Sequence, residues 1–148
     1  MAHTPSPLRY PGGKTSIWKM VSTIIKDNDL ERGHYCEPYA GGCGLVLTLL
    51  FKGYVHELHL NDIDRSIWAF WNAVLHQTDA LIEKILLTEV NVEEWYRQRE
   101  IQLNKDSFSD FELAFSSFFL NRTNRSGIIL KAGMIGGFNQ NGNYKIDC

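Results

Sequence analysis

The chain has 148 residues, enough for one domain with a buried core. Hydrophobic residues make up 44% and charged residues 22%, an ordinary globular balance, and no apolar run reaches the roughly 18 residues of a membrane span. A net charge of −2 excludes a uniformly basic nucleic-acid binder, yet the charges are unevenly placed: Arg9, Lys14 and Lys19 precede any acid, and beyond Leu113 the bases Arg122, Arg125, Lys131 and Lys145 accompany Asp147 alone.

The chain opens with no signal-peptide pattern. Its three cysteines (Cys36, Cys43, Cys148) lack metal-ligand spacing, and an odd count argues against a disulfide framework. These features predict a cytoplasmic protein without a metal site or a membrane anchor.

After a loose start, Pro11-Gly12-Gly13 is a turn that cannot lie inside a helix. Thr15 or Ser16 can cap a helix with Ile17, Met20, Val21, Ile24 and Ile25 on one face. A Gly-Gly-Lys turn entering a helix points amides and an ammonium at an anion, here a carboxylate. Next, the run His34 to Leu47 reads as strand, tight turn and helix. Gly41, Gly42 and Gly44 let the backbone turn sharply and approach a ligand. Such turns serve dinucleotides, nucleotides, S-adenosylmethionine, or structure alone. No Gly-Lys-Ser/Thr closes the loop, so it is not a P-loop. Leu47 stands at the third glycine position of a dinucleotide fingerprint, which disfavours a pyrophosphate ligand and a nicotinamide oxidoreductase.

A second strand is expected from about Val55 to Asn61. Asp62 follows Gly44 by eighteen residues, near the distance at which open α/β folds place an acid on a ribose. Asp64 is assigned to the next helix cap. Beyond it the pattern becomes helical: Ile67, Trp68, Trp71, Val74 and Leu75, then Leu81, Ile82, Ile85 and Leu86. Asn91 and Ser109 each begin a helix with a glutamate three residues on, and the second leads into Phe111, Phe115, Phe118 and Phe119, expected in the core. Ile128 to Leu130 and Tyr144 to Ile146 look β-like, with Asn141-Gly142 as a hairpin signal.

Four pieces stand in order: Arg-Tyr-Pro-Gly-Gly-Lys, Glu-Pro-Tyr-Ala-Gly-Gly-Cys-Gly, Asn-Asp-Ile-Asp, and Phe-Phe-Leu-Asn-Arg-Thr-Asn-Arg-Ser-Gly. Together they resemble the Dam-type (D12 class) DNA adenine-N6 methyltransferases over nearly the whole chain. The resemblance implies an α/β fold: a partial Rossmann-like, S-adenosylmethionine-dependent methyltransferase domain with a helical target-recognition insertion. Residues 1–64 would be the N-terminal part of the cofactor-binding domain. Residues 65–148 would be the recognition domain, ending in a β-hairpin. It implies S-adenosylmethionine as cofactor and double-stranded DNA as partner, in restriction-modification or another role. By position, Tyr10, Gly12, Gly13, Lys14, Glu37, Pro38, Tyr39, Gly41, Gly42 and Asp62 would bind the cofactor. Asn121, Arg122, Asn124, Arg125, Lys131 and Lys145 would face DNA. Thr123, Asn124 and Arg125 replace the Tyr-Gly-Tyr run of the GATC enzymes, so that target is not implied.

The family catalyses with Asp-Pro-Pro-Tyr or a close variant, which acts on a flipped adenine. The prolines here are Pro5, Pro7, Pro11 and Pro38, so the motif is absent from these 148 residues. The expectation is a truncated, inactive enzyme with an exposed sheet edge prone to self-association. The alternative is a DNA-binding module that keeps recognition without chemistry.

Overall fold

A computed structural model of the chain describes residues 5–142 and 144–147. The chain divides into two compact units between Ile63 and Asp64.

The first unit is a β-α-β arrangement with a helix before it. The Pro11–Gly13 turn closes by a Gly13 N–H to Tyr10 carbonyl bond of 3.2 Å and passes through a short 3₁₀ turn, Lys14–Ile17. Helix α1, Trp18–Asp27, therefore begins later than the Thr15/Ser16 cap predicts, and no side chain caps it. Its buried residues are Ser22 and Ile25, whereas Met20 is 57% and Ile24 52% exposed. Strand β1, Gly33–Glu37, and strand β2, Val55–Leu60, pair in parallel across helix α2, Gly44–Phe51. Parallel strands require such a crossover. Helix α2 is apolar nearly all round, and Leu45, Val46 and Leu49 are fully buried.

The second unit is helical. It comprises α3, Arg65–His76; α4, Thr78–Leu87; α5, Val92–Leu103; and α6, Asp110–Thr123. Three of the four starts follow the predicted caps, and α4 begins without a side-chain cap. The side chain of Asp64 accepts from the Ser66 amide, that of Asn91 from Glu94, and Ser109 with Glu112 forms a full capping box. Faces are less regular. In α3 the buried line is Ile67, Phe70, Trp71 and Ala73, while Leu75 is exposed. Phe115 and Phe119 of α6 are buried as expected.

A polar seam joins α3, α5 and α6. Ser66 Oγ donates to Gln102 Oε1 at 2.9 Å, and Gln102 Nε2 donates to Ser117 Oγ at 3.1 Å. Ser117 Oγ also lies 2.8 Å from the Leu113 carbonyl and 3.1 Å from that of Ser66. Arg65 holds the start of α6: Nε meets Asp110 Oδ1 at 2.9 Å, and its other nitrogens meet the Lys105 and Phe108 carbonyls.

The expected terminal hairpin is not formed among the described residues, where the segment after α6 carries only one isolated bridge, Asn124 to Met134. Gly136 and Gly137 take φ of +83° and +74°, which folds the segment into turns instead of extending it. Gln140 then acts as the strand partner would. Its Nε2 donates to the Ile135 carbonyl and its Oε1 accepts from the Ile146 amide, both within 2.9 Å. No helix among the described residues is long and apolar enough to cross a membrane.

Candidate functional site

The carboxyl end of β1 delivers Glu37 into the first unit, where it is 6% exposed. A carboxylate buried to that extent needs a counter-charge. Lys14 provides it, with Nζ 3.0 Å from Glu37 Oε1 and 2.6 Å from the Tyr39 carbonyl. Glu37 Oε1 also accepts from the Tyr39 amide at 3.2 Å, so one acid fixes both the lysine and the turn. Beyond β2, Asp62 Oδ2 accepts from the Gly41 amide at 2.8 Å. The Ala40 amide bonds to the Asn61 carbonyl at 2.8 Å, and the Asn61 amide to the Glu37 carbonyl at 2.9 Å. The two strand ends are thereby laced together around the loop.

The glycines of that loop answer to Tyr10. A Cβ on Gly41 would lie 2.8 Å from the Tyr10 ring, and one on Gly42 would lie 2.6 Å from Tyr10 Cβ. Gly41 also has φ of +46°. Glycine is thus required here by an aromatic seated against the loop, which no pattern within the loop could reveal. Cys43 ends the turn in the left-handed region, φ +53°, at the N-cap of α2. Burial first, then the charge of Glu37, pushes its thiol up to about 12, against the pull of Lys14.

Tyr10, Gly12, Gly13, Lys14, Glu37, Tyr39, Gly41 and Gly42 line a small recess over this loop. Beside it, sharing Tyr10, Gly13 and Gly42, opens a cleft of about 480 Å³ reached by Arg9 and Thr15. The recess itself holds about 40 Å³, and the larger cleft is lined by neither Lys14 nor Glu37. Asp62 is tied to the loop by its bond to Gly41 and Pro38 is exposed at the turn, but neither is among the residues lining the recess. The arrangement offers one cation, two carboxylates and a glycine turn leading into a helix, the groups that suit a zwitterionic ligand.

In the second unit the residues read as DNA-facing separate into two kinds. Arg122, Arg125, Lys131 and Lys145 are exposed. Asn121 and Asn124, also expected to face DNA, are fully buried, their side chains bonded within the protein. Asn121 Nδ2 donates to the Gly127 carbonyl at 2.7 Å. Asn124 Oδ1 accepts from the Trp95 indole at 2.6 Å, and its Nδ2 donates to the Ile128 and Ile129 carbonyls. Both amides shape the turn after α6. Near Lys131 lies a cleft of about 440 Å³ that the sequence did not disclose, lined by Tyr96, Arg99 and Phe138 among others. The Tyr96 and Phe138 rings stack at 6.2 Å, and Arg99 lies 5.7 Å from the Trp95 ring centre. The i, i+3 spacing of Tyr96 and Arg99 on α5 was the available signal.

Comparison with known proteins gives two findings. The family model for D12 class N6 adenine-specific DNA methyltransferases matches residues 10–146. A curated relative, the Type II methyltransferase M.MjaIII of Methanocaldococcus jannaschii, is 27% identical over 134 residues, covering 82% of this chain and 46% of the relative. The chain thus spans less than half the length of that relative.

Proposed function

The chain belongs to the D12 class of N6 adenine-specific DNA methyltransferases, and from that premise we propose that it forms the cofactor-binding and DNA-contacting part of an enzyme that methylates adenine N6 in duplex DNA. The observation that carries the reading is the gathering of Lys14, Glu37 and the Asp62-anchored glycine loop at the carboxyl ends of two parallel strands. Open α/β sheets bind their ligands at that edge.

The donor set suits S-adenosylmethionine. Lys14 and Glu37 would hold the charged amino-acid end. Asp62 would accept from the ribose hydroxyls, and Gly12, Gly13, Gly41 and Gly42 would allow close approach, with Tyr10, Pro38 and Tyr39 around the cofactor. When bound, the cofactor supplies an activated methyl group on a sulfonium. The chain's own residues bind and orient it. The first unit serves as part of a Rossmann-like domain and the second as the target-recognition part. Exposed Arg122, Arg125, Lys131 and Lys145 would meet phosphate or base edges.

Calorimetry with S-adenosylmethionine tests the cofactor assignment. Asp62→Ala should weaken binding by about 1–3 kcal/mol, the cost of leaving polar groups unpaired. Unchanged affinity in that variant would remove Asp62 from the ribose, and an absence of binding in the parent protein would overturn the site.

A further inference from the structure

One face of the sheet carries chemistry that methyl transfer does not use. The register of β1 and β2 sets His34 opposite Glu57 and Cys36 opposite His59. Successive side chains alternate between faces, so these four share one face and Glu37 lies on the other. His34 Nδ1 is 3.1 Å from His59 Nε2. His59 Nε2 is 3.2 Å from Glu57 Oε1, and His34 Nδ1 is 3.7 Å from Glu57 Oε2.

These separations are near those of a coordination polyhedron. Ligand atoms held ~2.0–2.2 Å from a tetrahedral zinc stand about 3.3–3.6 Å from one another. The two imidazole nitrogens, hydrogen-bonded to each other at 3.1 Å, are slightly closer than that; Glu57 meets His59 through Oε1 at 3.2 Å and His34 through Oε2 at 3.7 Å, and one ligand atom from each residue lies within 4.8 Å of the others, so a small adjustment of the side chains would seat an ion. The rings are also held. His34 and His59 are parallel within 8°, and His56 packs its edge on His34 at 4.8 Å between ring centres. The three side chains are about half exposed, so an ion can enter from solvent without unfolding the strands.

We propose that His34, Glu57 and His59 form a site for a divalent transition-metal ion of the zinc class, clamping β1 to β2. Two imidazoles and one carboxylate are the ligands of a borderline ion and are poor ones for magnesium or calcium. A fourth coordination position would be open to water. Backbone pairing preorganises the site, because the ligands come from adjacent, hydrogen-bonded strands.

Titration of zinc into the metal-free 148-residue protein tests the proposal, with magnesium in parallel. One equivalent of zinc should bind, magnesium should not, and zinc should raise the Tm. His34→Ala/His59→Ala and Glu57→Gln should each weaken zinc binding at least about tenfold, as the loss of even a supporting group does at metal sites. His3→Ala and His76→Ala should bind like the parent. If the double variant loses its helical circular dichroism, Glu57→Gln decides. The proposal is overturned if no single equivalent binds, if binding persists unchanged in the cluster variants, or if it disappears with His3 or His76.

Discussion

Cys43 and Cys36 lie seven positions apart and meet opposite environments. Cys43 is buried in the turn with its thiol pushed up to about 12. Cys36 is exposed on the open sheet face. Only thiolate reacts with alkylating reagents. At about pH 7.5, peptide mapping after brief treatment with iodoacetamide should find Cys36 labelled and Cys43 unlabelled until denaturant is added. Comparable labelling of Cys43 in the folded protein would contradict its burial. At this scale the sequence was readable wherever chemistry is local. The Lys14 turn, Glu37 at a strand end and Asp62 after the second strand could all be picked out by type and position. It was unreadable wherever a partner is distant. Nothing near Asn124 announces that Trp95, 29 residues earlier, consumes its side-chain oxygen. Nothing within the Gly41-Gly42 pair announces Tyr10. A polar side chain in a basic stretch reads as surface until its partner is known.

Three helix starts were legible because a cap involves residues two or three apart, at Asp64, Asn91 and Ser109, whereas α1 and α4 begin without a side-chain cap. Helix faces were not, because which side is buried depends on neighbours elsewhere in the chain. In α1 the periodic residues Met20 and Ile24 stay exposed. Among the described residues the terminal hairpin is not formed: an Asn-Gly pair favours a turn, but two positive-φ glycines and the Gln140 side chain turn the backbone ahead of it. The cap of α3 supports a pH prediction. Partial burial would raise the Asp64 carboxyl, but hydrogen bonds from Lys105, at 2.6 Å, and from the Ser66 amide outweigh it and hold the group below its ordinary 3.8. The group binds fewer protons folded than unfolded. Its contribution is therefore complete above pH 3.8 and is lost as pH falls through the lowered folded value. Asp64→Ala should cost ~0.5–2 kcal/mol at neutral pH by urea unfolding. The gap between parent and variant should shrink towards about pH 2. A gap that is absent at neutral pH, or undiminished in acid, would show that the carboxylate does not stabilise the helix.

For the whole molecule, the proposed DNA contact predicts a dependence on salt. Under the proposed function, each phosphate contact that Arg122, Arg125, Lys131 or Lys145 would make releases counterions, so replacing one such residue by alanine should reduce the log–log salt slope by about 0.9. Arg125→Ala should reduce discrimination between duplexes, since a guanidinium can pair bidentately with a guanine edge. Lys131→Ala should weaken all duplexes alike. Fluorescence titrations at several salt concentrations measure both, and an unchanged slope in the quadruple alanine variant would move the DNA surface elsewhere.

The sheet of the first unit leaves room for its own extension. Among the described residues, β1 is hydrogen-bonded along one flank, to β2. Its carboxyl end runs straight into the loop that binds Lys14 and Asp62. A strand added in parallel on the other flank would bring its own carboxyl-terminal turn to that same rim. The geometry does not ask whether the added strand comes from the same polypeptide. Any strand that docks there, whatever its origin, would set its turn beside Lys14 and Glu37 and so reshape the recess between them.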